Sequence, residues 1–340
     1  MTLFDLAREL NVSISTISRA LSRPEIVAPT TREKVLAAVK QFGFQPNGIA
    51  RSLRTRQTKT IGIIVPDITN WFFGVIVKAV GDVAKTHGYT VLVCNADEDS
   101  VGEAHGLNLF RERNVSGIIN CPIGIDPDLW RLLRKTGVPL VELDRRSGLE
   151  DVDTVVLDDE KAARLAADHL IKLGHRQIAT IAGPQHLSNG RARLSGLKKT
   201  LRKCLIPLPS EYIEYGDFRE ESGYVAAKKL ISLRNFPTAI FIANSEMAGG
   251  AIGALRERKI KIPEHLSIIS FDDARWVRYL DPPLTVIAEP AEAMGRSAAE
   301  MLIARLGLRA KSRKATIEVF APELIIRNST ADARSKKAVV

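Results

Sequence analysis

From Thr60 onward the chain repeats one unit: a short run rich in Val and Ile ending near a polar residue, then a stretch with helical apolar spacing. The runs IGIIVPD, YTVLVCNAD, GIINCP, PLVELD and TVVLDD are too continuously apolar for strands with one wet face, and helical patterns such as 72–86 and 127–135 separate most of them. Strands covered on both faces read this way, so the alternation predicts parallel βαβ units. The cadence restarts at Gln177 with QIATIAG, TAIFIAN and LSIISFDD. Two doubly wound halves fit this better than one very large sheet, and 340 residues are enough for two or three domains. Open parallel sheets place ligands at the carboxyl ends of their strands, and those ends are polar here: Asp67, Asp97, Asp144, Asn244, Asp272 and Asp273.

Residues 1–58 follow a different grammar. Apolar spacing of three and four predicts short helices over 3–10, 14–21 and 31–42, with no alternating segment. Asn11-Val12 makes a tight turn before Ser13-Ile14-Ser15-Thr16-Ile17-Ser18-Arg19, which gives a helix-turn-helix layout with Ser13 able to cap the second helix. Ala7, Val12, Ile17 and Leu21 supply the apolar contacts between the two helices. A generic helical hairpin satisfies the same spacing. Charge adds a second observation: the net charge is +10, and residues 1–60 hold ten Lys/Arg against four Asp/Glu. A local basic excess suits a polyanion, although a merely solvated surface has the same composition.

Several function classes are disfavoured. The chain has no GxSxG, no Walker phosphate loop, no HExxH and no GxGxxG after a strand, and its six histidines are scattered, so no catalytic residue is expected. Cys94, Cys121 and Cys204 show no metal-ligand or redox spacing, which predicts three buried thiols and neither metal nor cofactor. No apolar run approaches the ~20 residues that span a bilayer, and the acidic MTLFDLAREL is unlike a secretory signal. A cytoplasmic protein without a membrane partner is expected, which disfavours a periplasmic sugar-binding protein.

The segments VSISTISRAL, TREKVLAAVKQFGFQPNGIARSLRT and TIGIIVPDITNWFF resemble the opening of the LacI/GalR family of transcription regulators. The likeness continues through LGHRQIATIAGP, GDFREESGY, PTAIFIANSEMAGGAI, ISFDD and PPLTVIAEPAEAMGRSAAEML, and so covers nearly the whole chain in order. It implies an α/β fold in which a small all-α DNA-binding domain (1–45) and a hinge helix or linker (46–59) precede a two-lobed, periplasmic-binding-protein-like core (60–330). The N-lobe takes about 60–157 and 290–320, the C-lobe about 158–289 and 321–330, and 331–340 is a tail. The implied function is an operator-binding repressor of carbohydrate-metabolism genes, controlled by a small sugar-like effector.

Carried onto matching positions, the resemblance implies that Ile14, Ser15 and Arg19 face bases in the major groove, with Ser13, Thr16 and Ser18 contacting phosphate or capping. An Arg at position 19 has a direct physical warrant, since a guanidinium bonds a guanine edge bidentately; a phosphate clamp is its other reading. Asn47, Ala50, Leu53 and Arg54 match the family's hinge helix, with Leu53 the wedge that bends the operator. Read without the resemblance, residues 46–58 fit a solvated tether. The implied effector residues are Asp67, Asn70, Phe72, Asp144, Arg193, Phe218, Asn244 and Asp272, a set whose amides, carboxylates, guanidinium and rings suit a polyhydroxylated ligand.

Simpler roles compete at several positions. Asn244, Asp272 and Asp273 are placed to cap helices, Phe72 and Phe218 to fill the core, and only one of Arg191 and Arg193 is expected to turn inward. Ser245, Trp71 and Glu142 depart from the family pattern, leaving a sugar, a sugar acid, a phosphorylated sugar and a purine all open as effector, and inducer and corepressor alike. The tail lacks a leucine heptad, so a homodimer on a near-palindromic operator is expected rather than a tetramer.

Overall fold

The computed structural model describes residues 2–22, 24–43, 58–124, 127–307 and 314–335, arranged in two compact units, 1–58 and 59–340. The hinge candidates Asn47, Ala50, Leu53 and Arg54 lie outside the described residues.

The first unit contains three helices among its described residues: α1 (Leu3–Glu9), α2 (Ile14–Ser22) and α3 (Pro29–Gln41). Thr2 and Asp5 form a reciprocal capping box at the start of α1, satisfying amide groups that the helix itself leaves without partners. Asn11 takes a left-handed φ of 51° in the turn, a conformation asparagine tolerates better than most residues. Ser13 then caps α2, its Oγ accepting the Thr16 amide at 3.1 Å. Leu6, Ala7, Ile17, Ala20, Val35 and Ala38 make the small core, while Val12 and Leu21 pack half-buried against it.

The second unit holds two six-stranded sheets. In the N-lobe these are β1 (Thr60–Val65), β2 (Thr90–Asn95), β3 (Gly117–Asn120), β4 (Leu140–Leu143), β5 (Asp153–Leu157) and β11 (Ile317–Phe320), in the order β11-β5-β4-β3-β1-β2. The C-lobe has β6 (Ile178–Ala182), β7 (Ile213–Tyr215), β8 (Ala239–Ile242), β9 (Ser267–Phe271), β10 (Thr285–Ala288) and β12 (Glu323–Ile325), in the order β12-β10-β9-β8-β6-β7. All pairings are parallel except β10 with β12. Register runs Thr60↔Thr90 to Val65↔Asn95 between β1 and β2, and Ile178↔Ala239 to Ile181↔Ile242 between β6 and β8. Helices cover both faces, so Ile61, Ile63, Ile64 and Val65 are fully buried; this is why the central strands read as unbroken apolar runs.

The N-lobe helices are α4 (Trp71–Thr86), α5 (Ser100–Glu112), α6 (Pro127–Thr136) and α11 (Ala291–Gly307). Those of the C-lobe are α7 (Asp159–Lys172), α8 (Ser188–Lys203), α9 (Glu220–Leu230) and α10 (Ser245–Glu257). The chain passes between the lobes at three places, 157–159, 288–291 and 320–323, because β11 returns to the first sheet and β12 to the second. Gly223 and Gly250 bring α9 and α10 together so closely that an added Cβ at either position would lie about 2 Å from a backbone oxygen of the other helix. After β12 the chain stays on the C-lobe as far as Ser335, held by His175 Nε2 and Ser267 at Ala331 and by Ala333 N donating to Leu173 O.

Only one of the three cysteines is a buried thiol. Cys121 has no exposure, but Cys94 lies half-buried on the edge strand β2, and Cys204 is exposed where α8 ends. Among the described residues no helix is long and apolar enough to cross a membrane, and no group of His, Cys, Asp and Glu is placed to hold a metal ion.

Candidate functional site: a DNA-reading helix and an interlobe cleft

In the first unit α2 turns one face to its neighbours and the other to solvent. Ile17 and Ala20 are buried, whereas Ser13, Ile14, Ser15 and Arg19 are exposed and Thr16 and Ser18 half-exposed. Ile14 is 44% exposed, an apolar side chain the core does not use. The Ser13 hydroxyl also meets those of Ser15 at 2.7 Å and Thr16 at 2.8 Å. The helix therefore presents small hydroxyl groups, one isoleucine and one guanidinium, chemistry that fits phosphates, base edges and thymine methyls.

Between the lobes a cavity of about 30 Å³ is lined by the ends of strands from both sheets. Seven of the eight effector candidates meet there: Asn70, Phe72, Asp144, Arg193, Phe218, Asn244 and Asp272. Asp67 does not line it. Its Oδ1 accepts from the Thr69 amide and hydroxyl, so it shapes the turn before α4. Phe73, Glu98, Arg145, Asn189 and Glu289 line the cavity as well, and sequence reasoning missed them. A usable signal existed for Glu289, which follows the run TVIA just as Asp144 follows LVEL.

Many of these side chains also build the local structure. Asn70 caps α4 through Phe72 N, and Asn244 caps α10 through Met247 N while donating to Phe218 O. Asp272 accepts from the amide and hydroxyl of Ser245, so the unusual serine is the partner of a cleft carboxylate. Asp273 pairs with Arg278 and Arg327, away from the cavity. Trp71, the other departure in this region, packs half-buried against the C-lobe core cluster. Asp144, Phe218 and Asp272 all have φ near +68°, a costly conformation for residues other than glycine that tends to gather where side chains must be aimed. Glu142 is buried outside the cavity; burial raises its pKa, and hydrogen bonds from Ser147 oppose the rise.

Two arginines organise the electrostatics. Arg193 donates from Nε to Asp159 at 2.7 Å, from Nη1 to Ala243 O at 2.7 Å and from Nη2 to Glu289 Oε1 at 2.8 Å, with its guanidinium 3.6 Å from the centre of the Phe271 ring. Arg191, by contrast, is exposed and bonds carbonyls of Gln185 and His186. Arg145 binds Glu98 bidentately at 2.7 Å and lies over the Phe218 ring; its Nε is 3.4 Å from Asp144 Oδ2 without a hydrogen bond. Burial pushes Asp144 up to about 6 even though both arginines draw it down. Glu246 is pushed up to about 7, first by burial and then by Asp272 and Asp67.

Direct contacts hold the cleft edges together. Asn189 Nδ2 donates to Asp144 Oδ2 at 3.2 Å, Arg146 N donates to Ser188 Oγ at 2.8 Å, and Arg219 donates to Asp97 O. The cavity has room for about one water molecule. A larger groove of about 1140 Å³ runs along the outer face of α8 and shares none of these strand-end groups.

Comparison with known proteins gives both regions a context. Residues 2–47 match the model for bacterial regulatory proteins of the lacI family, and residues 167–330 match a periplasmic binding protein-like domain. The HTH-type transcriptional repressor PurR of Photobacterium profundum is 34% identical over 97% of this chain and 99% of its own. A crystal structure of the lac repressor dimer, bound to operator and an anti-inducer, superposes with a TM-score of 0.86 at 28% identity, covering 97% of this chain and 99% of that one. A LacI family regulator from Enterococcus faecium with bound ribose gives a TM-score of 0.72 at 31% identity, over 80% of this chain and 99% of its own. The chain therefore belongs to the LacI family of DNA-binding transcriptional repressors controlled by small-molecule effectors.

Proposed function

We propose that this repressor responds to a small neutral polyol, a monosaccharide of pentose size, and regulates carbohydrate-metabolism genes as a homodimer. The observation that carries the reading is the charge of the cleft. Glu98, Asp144, Asp159 and Asp272 surround Arg145 and Arg193, and both guanidinium groups are already engaged by carboxylates. A phosphate or sugar acid would bring further negative charge into a buried site where each of the two described guanidinium groups already has a carboxylate partner, at a desolvation cost no hydroxyl group incurs. A pyranose or furanose offers several hydroxyl groups to these donors and acceptors, with apolar faces for Phe72 and Phe218. The ribose-bound relative supports the same class. No catalytic residue, cofactor or metal enters this reading.

DNA reading is assigned to the outer face of α2, with Arg19 and Ile14 toward bases, Ser15 beside them, and Ser13, Thr16 and Ser18 toward phosphates. Asn47, Ala50, Leu53 and Arg54 complete the contact as a hinge. Effector binding changes the angle between the lobes and so the fit of the dimer to a near-palindromic operator.

Thermal melts of the purified protein against D-ribose, other pentoses, hexoses, gluconate, ribose 5-phosphate and hypoxanthine test the class, because a ligand held only by the native state raises the melting temperature. A shift with a neutral sugar is expected. A shift confined to the anionic or purine ligands would sink the assignment.

A further inference from the structure

We propose that Glu289 stands in the cleft as a neutral carboxylic acid whose Oε2–H is a hydrogen-bond donor to an effector oxygen, which links effector binding to a proton. The inference rests on the sugar-effector reading for its ligand and on geometry for its proton.

The side chain of Glu289 is 2% exposed. Oε1 accepts Nη2 of Arg193 at 2.8 Å, whereas Oε2 is buried with no partner. The groups facing it come from four elements: Arg193 from α8, Asp159 from the start of α7, Asp144 from the end of β4 and Asp272 from the end of β9. One cation thus faces four carboxyl groups, counting Glu289 itself, and that cation already serves Asp159. Asp159 accepts from Arg193 Nε, Asp144 accepts from Asn189, and Asp272 accepts two bonds from Ser245. Among these four carboxyl groups, Glu289 has the one oxygen that is buried and left without a donor. An ionised carboxylate with a dry, unbonded oxygen is the costly arrangement; a proton on that oxygen removes the charge and turns an orphan acceptor into a donor. Burial raises the pKa of Glu289 well above the usual carboxylate range, and the three neighbouring acids raise it further against the pull of Arg193.

A donor at this point accepts a hydroxyl or ring oxygen as partner. It also separates neutral sugars from ammonium-bearing ones, because an ammonium group cannot accept the bond and would instead favour the ionised acid. Glutamine reproduces both halves of the arrangement: its carbonyl accepts Arg193 and its amide donates, with nothing to titrate.

Two measurements on the full-length protein and its Glu289→Gln variant decide the matter. Infrared spectra at neutral pH read the carbonyl stretch of protonated carboxyl groups without any effector. The wild type minus Glu289→Gln difference is expected to show one such band, and a difference without it, or a band lost instead in Asp144→Asn, overturns the proposal. Calorimetric titration with D-ribose from pH 6 to 9 then reads the linkage. Wild-type affinity is expected to fall as pH rises, approaching tenfold per unit once Glu289 ionises; Glu289→Gln should bind within about threefold of wild type at pH 6 and lose that part of the fall. Parallel pH profiles in the two proteins would refute the linkage. Should ribose fail to bind either protein while the infrared band behaves as expected, the ligand class is wrong and the proton assignment stands.

Discussion

Substituting alanine for glycine at two positions one turn apart on α10 should change stability in opposite directions. A Cβ at Gly250 would lie 1.9 Å from Glu220 O and 2.8 Å from Tyr224 N, both backbone atoms of α9. Non-bonded atoms rest at about 3.5 Å, so the helices would have to separate by about 1.5 Å along that line, and backbone atoms cannot turn aside as a flexible side chain does. Overpacking of this kind costs about 1–3 kcal/mol, and the better helix propensity of alanine returns up to ~1 kcal/mol. Gly250→Ala should therefore lose about 1–2 kcal/mol. At Gly253 the nearest atom is Tyr224 Cδ2 at 3.9 Å, an ordinary contact, so Gly253→Ala keeps the propensity gain of up to ~1 kcal/mol. For a core of this size ~1 kcal/mol moves Tm by about 2–4 °C, which predicts a fall of several degrees for the first variant and a small rise for the second. Differential scanning calorimetry of both, with wild type alongside, reads the signs directly. Equal melting temperatures for the two variants would refute the close-approach argument.

Further outcomes follow from the cleft and the reading helix. Arg193→Met leaves Asp159 buried without its cation and Glu289 Oε1 without its donor, and should lower the urea midpoint by the equivalent of about 3–5 kcal/mol; a wild-type midpoint would show that Asp159 does not need the cation. Glu246 and Asp144 are raised to about 7 and about 6, so the folded chain holds more protons than the unfolded chain between about pH 4 and 7, and their contribution to stability falls as pH rises through that window. Urea midpoints at pH 5 and pH 8 should differ less in Glu246→Gln than in wild type, and an unchanged difference would remove Glu246 from the effect. Arg19→Ala should weaken operator binding by about 1–3 kcal/mol and relax preference at one base pair, measured by fluorescence anisotropy on operator variants; a uniform loss across sequences would make Arg19 a phosphate contact.

How much of this was legible depends on burial. Central strands such as β1, β6 and β8 announce themselves because both faces are covered and nearly every residue is apolar, Thr60 and Thr180 being the exceptions. Edge strands β7, β11 and β12 are three or four residues long and half-exposed, and nothing in IEY, IEVF or ELI separates them from loop. The strand-end rule led to Asp144, Asn244 and Asp272, and it also picked Asp67, whose carboxylate is spent on Thr69. Glu98, Arg145 and Glu289 escaped because a charged residue in a sequence reads as surface. Their burial depends on pairing across elements up to 96 positions apart, as between Arg193 and Glu289, and residue spacing does not encode that. Asn70 and Asn244 show the reverse case, where a capping role and a place in the cleft belong to the same side chain.

The three crossings between the lobes limit how the cleft can work. A pair of bodies joined by one strand of chain swivels freely, and little torque passes from one to the other. With three side-by-side connections, twisting or sliding stretches at least one of them, and bending about the line through them is the soft motion that remains. The lobes therefore behave as the leaves of a door hinge. A displacement of an ångström where Asn189 meets Asp144 becomes a larger arc at the far ends of the sheets, in proportion to distance from that line.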